Sequence, residues 1–181
     1  MEYNKKSVGL IGYWFATNYG GVASYYSLYQ AVKELGYAPF LVETPLLDVD
    51  KEGVDVFSRN FFKEIGAQIS DFLKTEDLEK LNQFADMFVL GSDQVITNTS
   101  IRLFGKLFLM EFAEKNKLKI AFSSSCGGDN LENSKTTDYA KNLISRFDKI
   151  SVREFSAIDI FRNRFDIDVD FVIDPIFLTT A

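Results

Sequence analysis

Apolar residues along this chain follow two rhythms. Short continuous runs recur at Ser7 to Trp14, Tyr37 to Glu43, Met87 to Leu90, Leu118 to Ser123, Lys149 to Val152 and Asp170 to Ile173. Runs of this kind fit strands covered on both faces. Between them, apolar residues return every three or four positions, the period of a helix with one buried face. Val22, Tyr25, Tyr26, Tyr29 and Val32 predict a helix that stops at Gly36, with Lys33 in its last turn. Phe57, Phe61, Ile65, Ile69 and Phe72, flanked by Phe62 and Leu73, predict one amphipathic helix. Tyr139, Leu143 and Phe147 predict another, and Phe155, Ile158, Phe161 and Phe165 a further one. Ile101 to Ala113 reads as a loop with short helical turns. Strands alternating with helices predict an α/β fold, a doubly wound, mostly parallel Rossmann-like sheet in a single domain. Pro39 is the one awkward residue, because a proline removes a ladder donor from the second strand.

In such a sheet, polar loops at the carboxyl ends of strands converge on one crevice, where ligands bind. The most informative segment is Asp86 to Gln94, where the apolar Phe88-Val89-Leu90 breaks into Gly91-Ser92-Asp93-Gln94. A buried strand there delivers Ser92, Asp93 and Gln94 from a rigid support. The plainer reading is a Gly-Ser-Asp turn that caps the next element.

Composition narrows the chemistry. The chain has 181 residues, 46% of them hydrophobic, which suffices for one domain with a sizeable core. The net charge of −6 argues against a general nucleic-acid binder. The single Cys126 permits no internal disulfide, so a reducing, cytoplasmic setting is expected. No segment approaches the length of a membrane span, and the run after Lys5 and Lys6 reads as a first strand rather than a signal peptide. The absence of histidine excludes Ser-His-Asp and Cys-His catalysis within the chain, as well as zinc held by histidine. Acid–base work falls to carboxylates, Lys, Tyr or groups from elsewhere. Neither a metal nor a cofactor is expected.

Three further segments carry candidate chemistry. The first βα turn lacks both the dinucleotide fingerprint and the Walker pattern. It offers Asn18-Tyr19-Gly20-Gly21 at a helix start, where backbone N–H groups suit an anion or a sugar hydroxyl; a turn that merely needs glycine is the plainer reading. Ser151-Val152-Arg153-Glu154 has the spacing of a capping box. That device leaves Arg153 unexplained, and an arginine at a strand end suits a carboxylate or phosphate; a solvated arginine is the alternative. Ser123-Ser124-Ser125-Cys126-Gly127-Gly128 is a small-residue loop in which Cys126 reads as a packed residue without a partner base. Asp48 and Asp50 read as a solvated loop.

Taken in order, these segments resemble the polysaccharide pyruvyl transferase family. The matching pieces are Asn18-Tyr19-Gly20, Phe88 to Val95, Ile120 to Ser125, Ile150 to Glu154, and Val172 to Pro175. They span residues 7 to 178. The family usually carries a tryptophan, as an acceptor contact, where this chain has Ile96. Its members are about twice as long and look like B-type glycosyltransferases, with two Rossmann-like halves around a cleft. The resemblance therefore implies that this chain is the N-terminal half, with a C-terminal catalytic half outside it. It implies transfer of a pyruvyl group from phosphoenolpyruvate to a sugar or lipid-linked glycan of the cell surface, forming a cyclic ketal. Arg153 would hold the anionic donor and Asp93 would orient or deprotonate an acceptor hydroxyl. Substrate contacts are expected at Asn18, Tyr19, Gly20, Ser92, Gln94 and Ser124. The family's usual catalytic histidine belongs to the other half, so the chain alone is expected to be nearly inactive, with an apolar face that a partner half or a homodimer would cover. A nucleotide-sugar glycosyltransferase of the same architecture and a non-catalytic carbohydrate-binding domain remain the alternatives.

Overall fold

The computed structural model describes residues 5–15, 19–44, 56–71, 73–128, 131–132 and 134–179, without the side chains of Val56 and Ser134. Strands β1 (Ser7–Ile11), β2 (Ala38–Leu41), β3 (Gln68–Ile69), β4 (Met87–Leu90), β5 (Leu118–Ser124), β6 (Lys149–Val152) and β7 (Asp170–Phe171) form one sheet in the order β3-β2-β1-β4-β5-β6-β7. Every adjacent pair is parallel. The connecting helices are α1 (Tyr19–Glu34), α2 (Val56–Glu64), α3 (Asn98–Phe108), α4 (Ser134–Ile144) and α5 (Phe155–Ile160), with a 3₁₀ helix at Thr75–Gln83. The expected doubly wound α/β architecture is therefore what the chain adopts. Among the described residues no helix is long and apolar enough to cross a membrane.

Strand alternation divides the core in two. Val8, Leu10 and Val89 pack with Tyr25, Leu28 and Phe62 beneath α1 and α2. Ile11, Phe88 and Leu90 pack with Ile101, Phe108, Ala140, Ile144 and Phe161 beneath α3, α4 and α5. Both faces of the central strands are covered, which explains their continuous apolar runs.

Three elements differ from the sequence expectation, and the awkward Pro39 is accommodated. The stripe from Phe57 to Phe72 is not one helix: α2 ends at Glu64, and Ile69 lies in β3. Gly66 stops it at φ +71°, with Gly66 N donating to Lys63 O and Ala67 N to Phe62 O. This is the left-handed Schellman ending that glycine permits. Phe72 lies outside the described residues. The Ile101 to Ala113 segment is largely regular helix rather than loop. Thr97 caps α3 by accepting Ser100 N at 3.0 Å, a start signal masked by the phenylalanines that follow. The first strand ends at Ile11, and Trp14 turns under the sheet, its Nε1 donating to Val42 O at 2.8 Å. Pro39 is tolerated within β2 because Ala38 N and Val42 N face β1, donating to Lys6 O and Leu10 O. Position 39 therefore faces the other side, where pairing with β3 starts only at Phe40.

Candidate active site

The order of the strands reverses at β1, so β1 and β4 flank the switch point, the place where such sheets bind ligands. Tyr25 of α1 braces it from below. Its buried phenol donates to Ile11 O at 2.6 Å. A β-carbon at Gly91 would lie 2.6 Å from that ring, and one at Gly12 would overlap its hydroxyl oxygen, so both strands must run out into glycine here. Burial, and secondarily the charge of Asp93, raise the Tyr25 pKa well above that of an ordinary phenol.

Beyond Gly91 the strand ends step across the sheet as a row. Asp93 forms a parallel bridge with Ser124 at the end of β5, and Arg153 N donates to Ser124 O at 3.3 Å from the end of β6. Asp93 holds φ +103°, a conformation unusual for a side-chain-bearing residue. It is fixed by its own hydrogen bonds: its carbonyl accepts Val95 N at 2.7 Å and Ser125 N at 2.9 Å, and its Oδ1 accepts Gln94 N at 2.8 Å. Backbone held in this way at a sheet edge is a hallmark of functional positions.

Arg153 organises the row. Its Nη1 donates to Asp174 Oδ2, its Nη2 lies 3.5 Å from Asp93 Oδ1, and its Nε lies 3.9 Å from Glu154 Oε2. Three carboxylates thus surround one guanidinium. Asp174, just past β7, also accepts Ser24 Oγ of α1 at 2.7 Å and Ile176 N at 3.0 Å. It therefore ties both flanks of the edge together. Glu154 Oε1 accepts Ser125 Oγ at 2.8 Å and Cys126 N at 2.7 Å, holding the small-residue loop.

The capping-box expectation at Ser151 and Glu154 fails on this geometry. Ser151 lies within β6 and accepts Ser123 N at 3.0 Å, while Glu154 precedes α5 without a side-chain cap. The spacing matched, but a strand residue cannot cap the helix that follows it.

The expected contact residues fall into three groups. Asp93 and Arg153 meet on the rim, with side chains 22% and 26% exposed. Tyr19, Gly20 and Gln94 are exposed along the same edge. Ser124 is buried and donates to Gly91 O at 3.4 Å, a support for β4 rather than an open contact. Ser92 is 1% exposed, and its Oγ has no hydrogen-bond partner among the described residues. Asn18, Asp48 and Asp50 lie outside the described residues. Ile96 is buried in the core beneath α3, so its difference from the family's tryptophan alters packing rather than an open acceptor contact. Cys126 is likewise packed in the core.

Sequence reasoning missed Asp174 and Glu154 as partners of Arg153. The Asp-Pro dipeptide after the last strand was the available signal for Asp174. Among the described residues, no group of three His, Cys, Asp or Glu side chains is arranged to hold a metal ion.

No curated protein matches the chain significantly. The model of the family "polysaccharide pyruvyl transferase" matches residues 18–181, which takes in every strand end described above except that of β1. The chain belongs to the polysaccharide pyruvyl transferase family.

Proposed function

We propose that this protein takes part in transfer of a pyruvyl group from phosphoenolpyruvate to two neighbouring hydroxyls of a sugar in a cell-surface glycan. The chain would supply one wall of the cleft, and a second Rossmann-like half the other. The observation that carries the reading is the meeting of Asp93 and Arg153 on the carboxyl edge of the sheet, 3.5 Å apart, in a chain of this family.

The chemistry balances without a redox cofactor. A proton adds to the enol methylene, which becomes the methyl group, and the neighbouring carbon becomes electrophilic. Two sugar hydroxyls add there in turn, forming two C–O bonds, while the bond from that carbon to the phosphate oxygen breaks. Of the two hydroxyl protons, one in net terms ends on the methyl group and one on phosphate. The carboxylate of Asp93, rigidly held and partly open, suits the task of accepting a hydroxyl proton.

The test uses the protein at its natural length, phosphoenolpyruvate and a panel of pyranoside acceptors. Phosphate release matched by a new ketal methyl signal is the expected result. Product formed only from a nucleotide sugar would overturn the reading. The 181-residue chain alone should release little phosphate; robust release by it would overturn the division of the site between two halves.

A further inference from the structure

We infer that the Asp93–Arg153 edge receives the neutral sugar acceptor, and that Arg153 acts there as a positioning residue for Asp93 instead of gripping the anionic donor. This rests on the pyruvyl-transfer reading and adds which substrate meets this wall and what the arginine does.

The first argument is charge. Phosphoenolpyruvate carries a carboxylate and a phosphate, and it needs cations with free donors. Arg153 spends one arm of its fork on Asp174 and directs the other at Asp93, with Glu154 at its Nε. The cluster has an excess of two negative formal charges. A second anion at this guanidinium would stand among like charges at ion-pair range, where repulsion is strong. The amino end of α1 would favour an anion, but Gly21 in its first turn already faces Asp93: a β-carbon there would lie 3.8 Å from Asp93 Oδ2.

The second argument is hydrogen-bond bookkeeping. Asp93 Oδ1 is taken by Gln94 N and Arg153 Nη2. Oδ2 has no hydrogen-bond partner among the described residues, although the side chain is partly open. An unfilled carboxylate oxygen on a fixed residue is an acceptor for an O–H group. It is the wrong partner for a phosphate.

The third argument is the aromatic rim. Tyr19, the first residue of α1, is 71% exposed and meets Phe57 of α2 edge-on at 5.0 Å. Both helices begin at the carboxyl edge of the sheet. The electron-rich face of an aromatic ring repels anions and suits the C–H face of a pyranose. A carboxylate oxygen for the hydroxyls and, on the same edge of the sheet, an aromatic ring for the ring carbons are the pair of features that a sugar requires.

Saturation-transfer NMR on the 181-residue chain reads this directly. The probes are the methyl pyranosides of glucose, galactose, mannose and N-acetylglucosamine and, separately, phosphoenolpyruvate. At least one pyranoside should receive saturation, and phosphoenolpyruvate none. Tyr19→Ala should weaken the sugar signal about fivefold. Asp93→Asn should weaken it as well, whereas Arg153→Lys should retain it within about twofold. Silence from every pyranoside would overturn the inference. So would phosphoenolpyruvate binding that disappears in Arg153→Gln. At natural length, Arg153→Gln should lower kcat about 10- to 100-fold with the KM for phosphoenolpyruvate nearly unchanged, and Arg153→Lys should recover part of the loss. A rise of about tenfold in that KM would return the arginine to the donor. Sugar binding without ketal formation at natural length would instead remove the pyruvyl-transfer reading and leave the acceptor wall standing.

Discussion

Two arginines stand at the carboxyl edge of this sheet, and they are used in opposite ways. Arg59 of α2 meets Glu43, just past β2. Both guanidinium arms reach the carboxylate, its Nη2 at 2.8 Å from Oε1, and the guanidinium lies 5.4 Å from the ring centre of Trp14. Glu43 is buried, and its Oε1 also accepts Thr44 N at 3.0 Å. Both oxygens of the carboxylate are taken and it is shielded from water, which is the arrangement of a structural pair. Arg153 faces three carboxylates, divides its fork between two of them, and leaves Asp93 Oδ2 without a partner among the described residues. A stabilising pair satisfies its acceptors. A site holds one acceptor back for a ligand and accepts the electrostatic cost.

The sharpest separation of the two regions comes from their carboxylates. Asp93→Asn keeps shape but removes the proton acceptor, and should lower pyruvyl transfer by about 10²–10⁴-fold with the melting temperature nearly unchanged. Glu43→Ala should do the reverse. It removes the carboxylate that both arms of a half-buried guanidinium reach and should cost about 2–3 kcal/mol of stability by chemical denaturation, while folded protein retains its activity. Equal activity losses in both variants would erase the distinction.

Asp174→Asn should fall between them. It keeps the acceptor for Ser24 and Ile176 but removes a charge from Arg153, and should lower stability by about 1 kcal/mol. If Asp174 also steadies Arg153, the acceptor-dependent rate should drop by more than that stability loss explains.

The smallest effect is alkaline. Tyr25 is raised by burial, and Tyr139 by burial together with its 2.7 Å hydrogen bond to Glu111. A raised phenol contributes stability that is fully present below its unfolded pKa, about 10. That stability is lost as pH rises from there toward the folded value. Unfolding titrations should therefore be insensitive to these phenols up to about pH 9 and weaken above about pH 10. Tyr139→Phe should soften that slope. A slope already present between pH 7 and 9 would point to other groups.

How much of this was legible in the sequence differs between local and distant features. The β4 strand and the Gly91-Ser92-Asp93-Gln94 break were readable, because a buried strand and its terminus are written in consecutive residues. The stop at Gly36 was readable for the same reason, while the equivalent stop at Gly66 was hidden by an apolar spacing that happened to continue across it. The phenylalanines of α3 obscured the Thr97 cap. The burial of Ser92 and Ser124 was not readable, since a polar residue does not declare whether a neighbouring strand will cover it. Nor were the partners of Arg153, because Asp93 lies 60 residues away and Asp174 lies 21 away, joined only by the order of the strands.

The most direct measurement follows the ketal itself. The protein at natural length, with phosphoenolpyruvate and a pyranoside that binds the chain, should give a new methyl resonance and one phosphate per ketal, both lost in Asp93→Asn and both kept in Glu43→Gln. Undiminished ketal formation by Asp93→Asn would contradict the account, because the open carboxylate at the sheet's edge would then have no part in the chemistry.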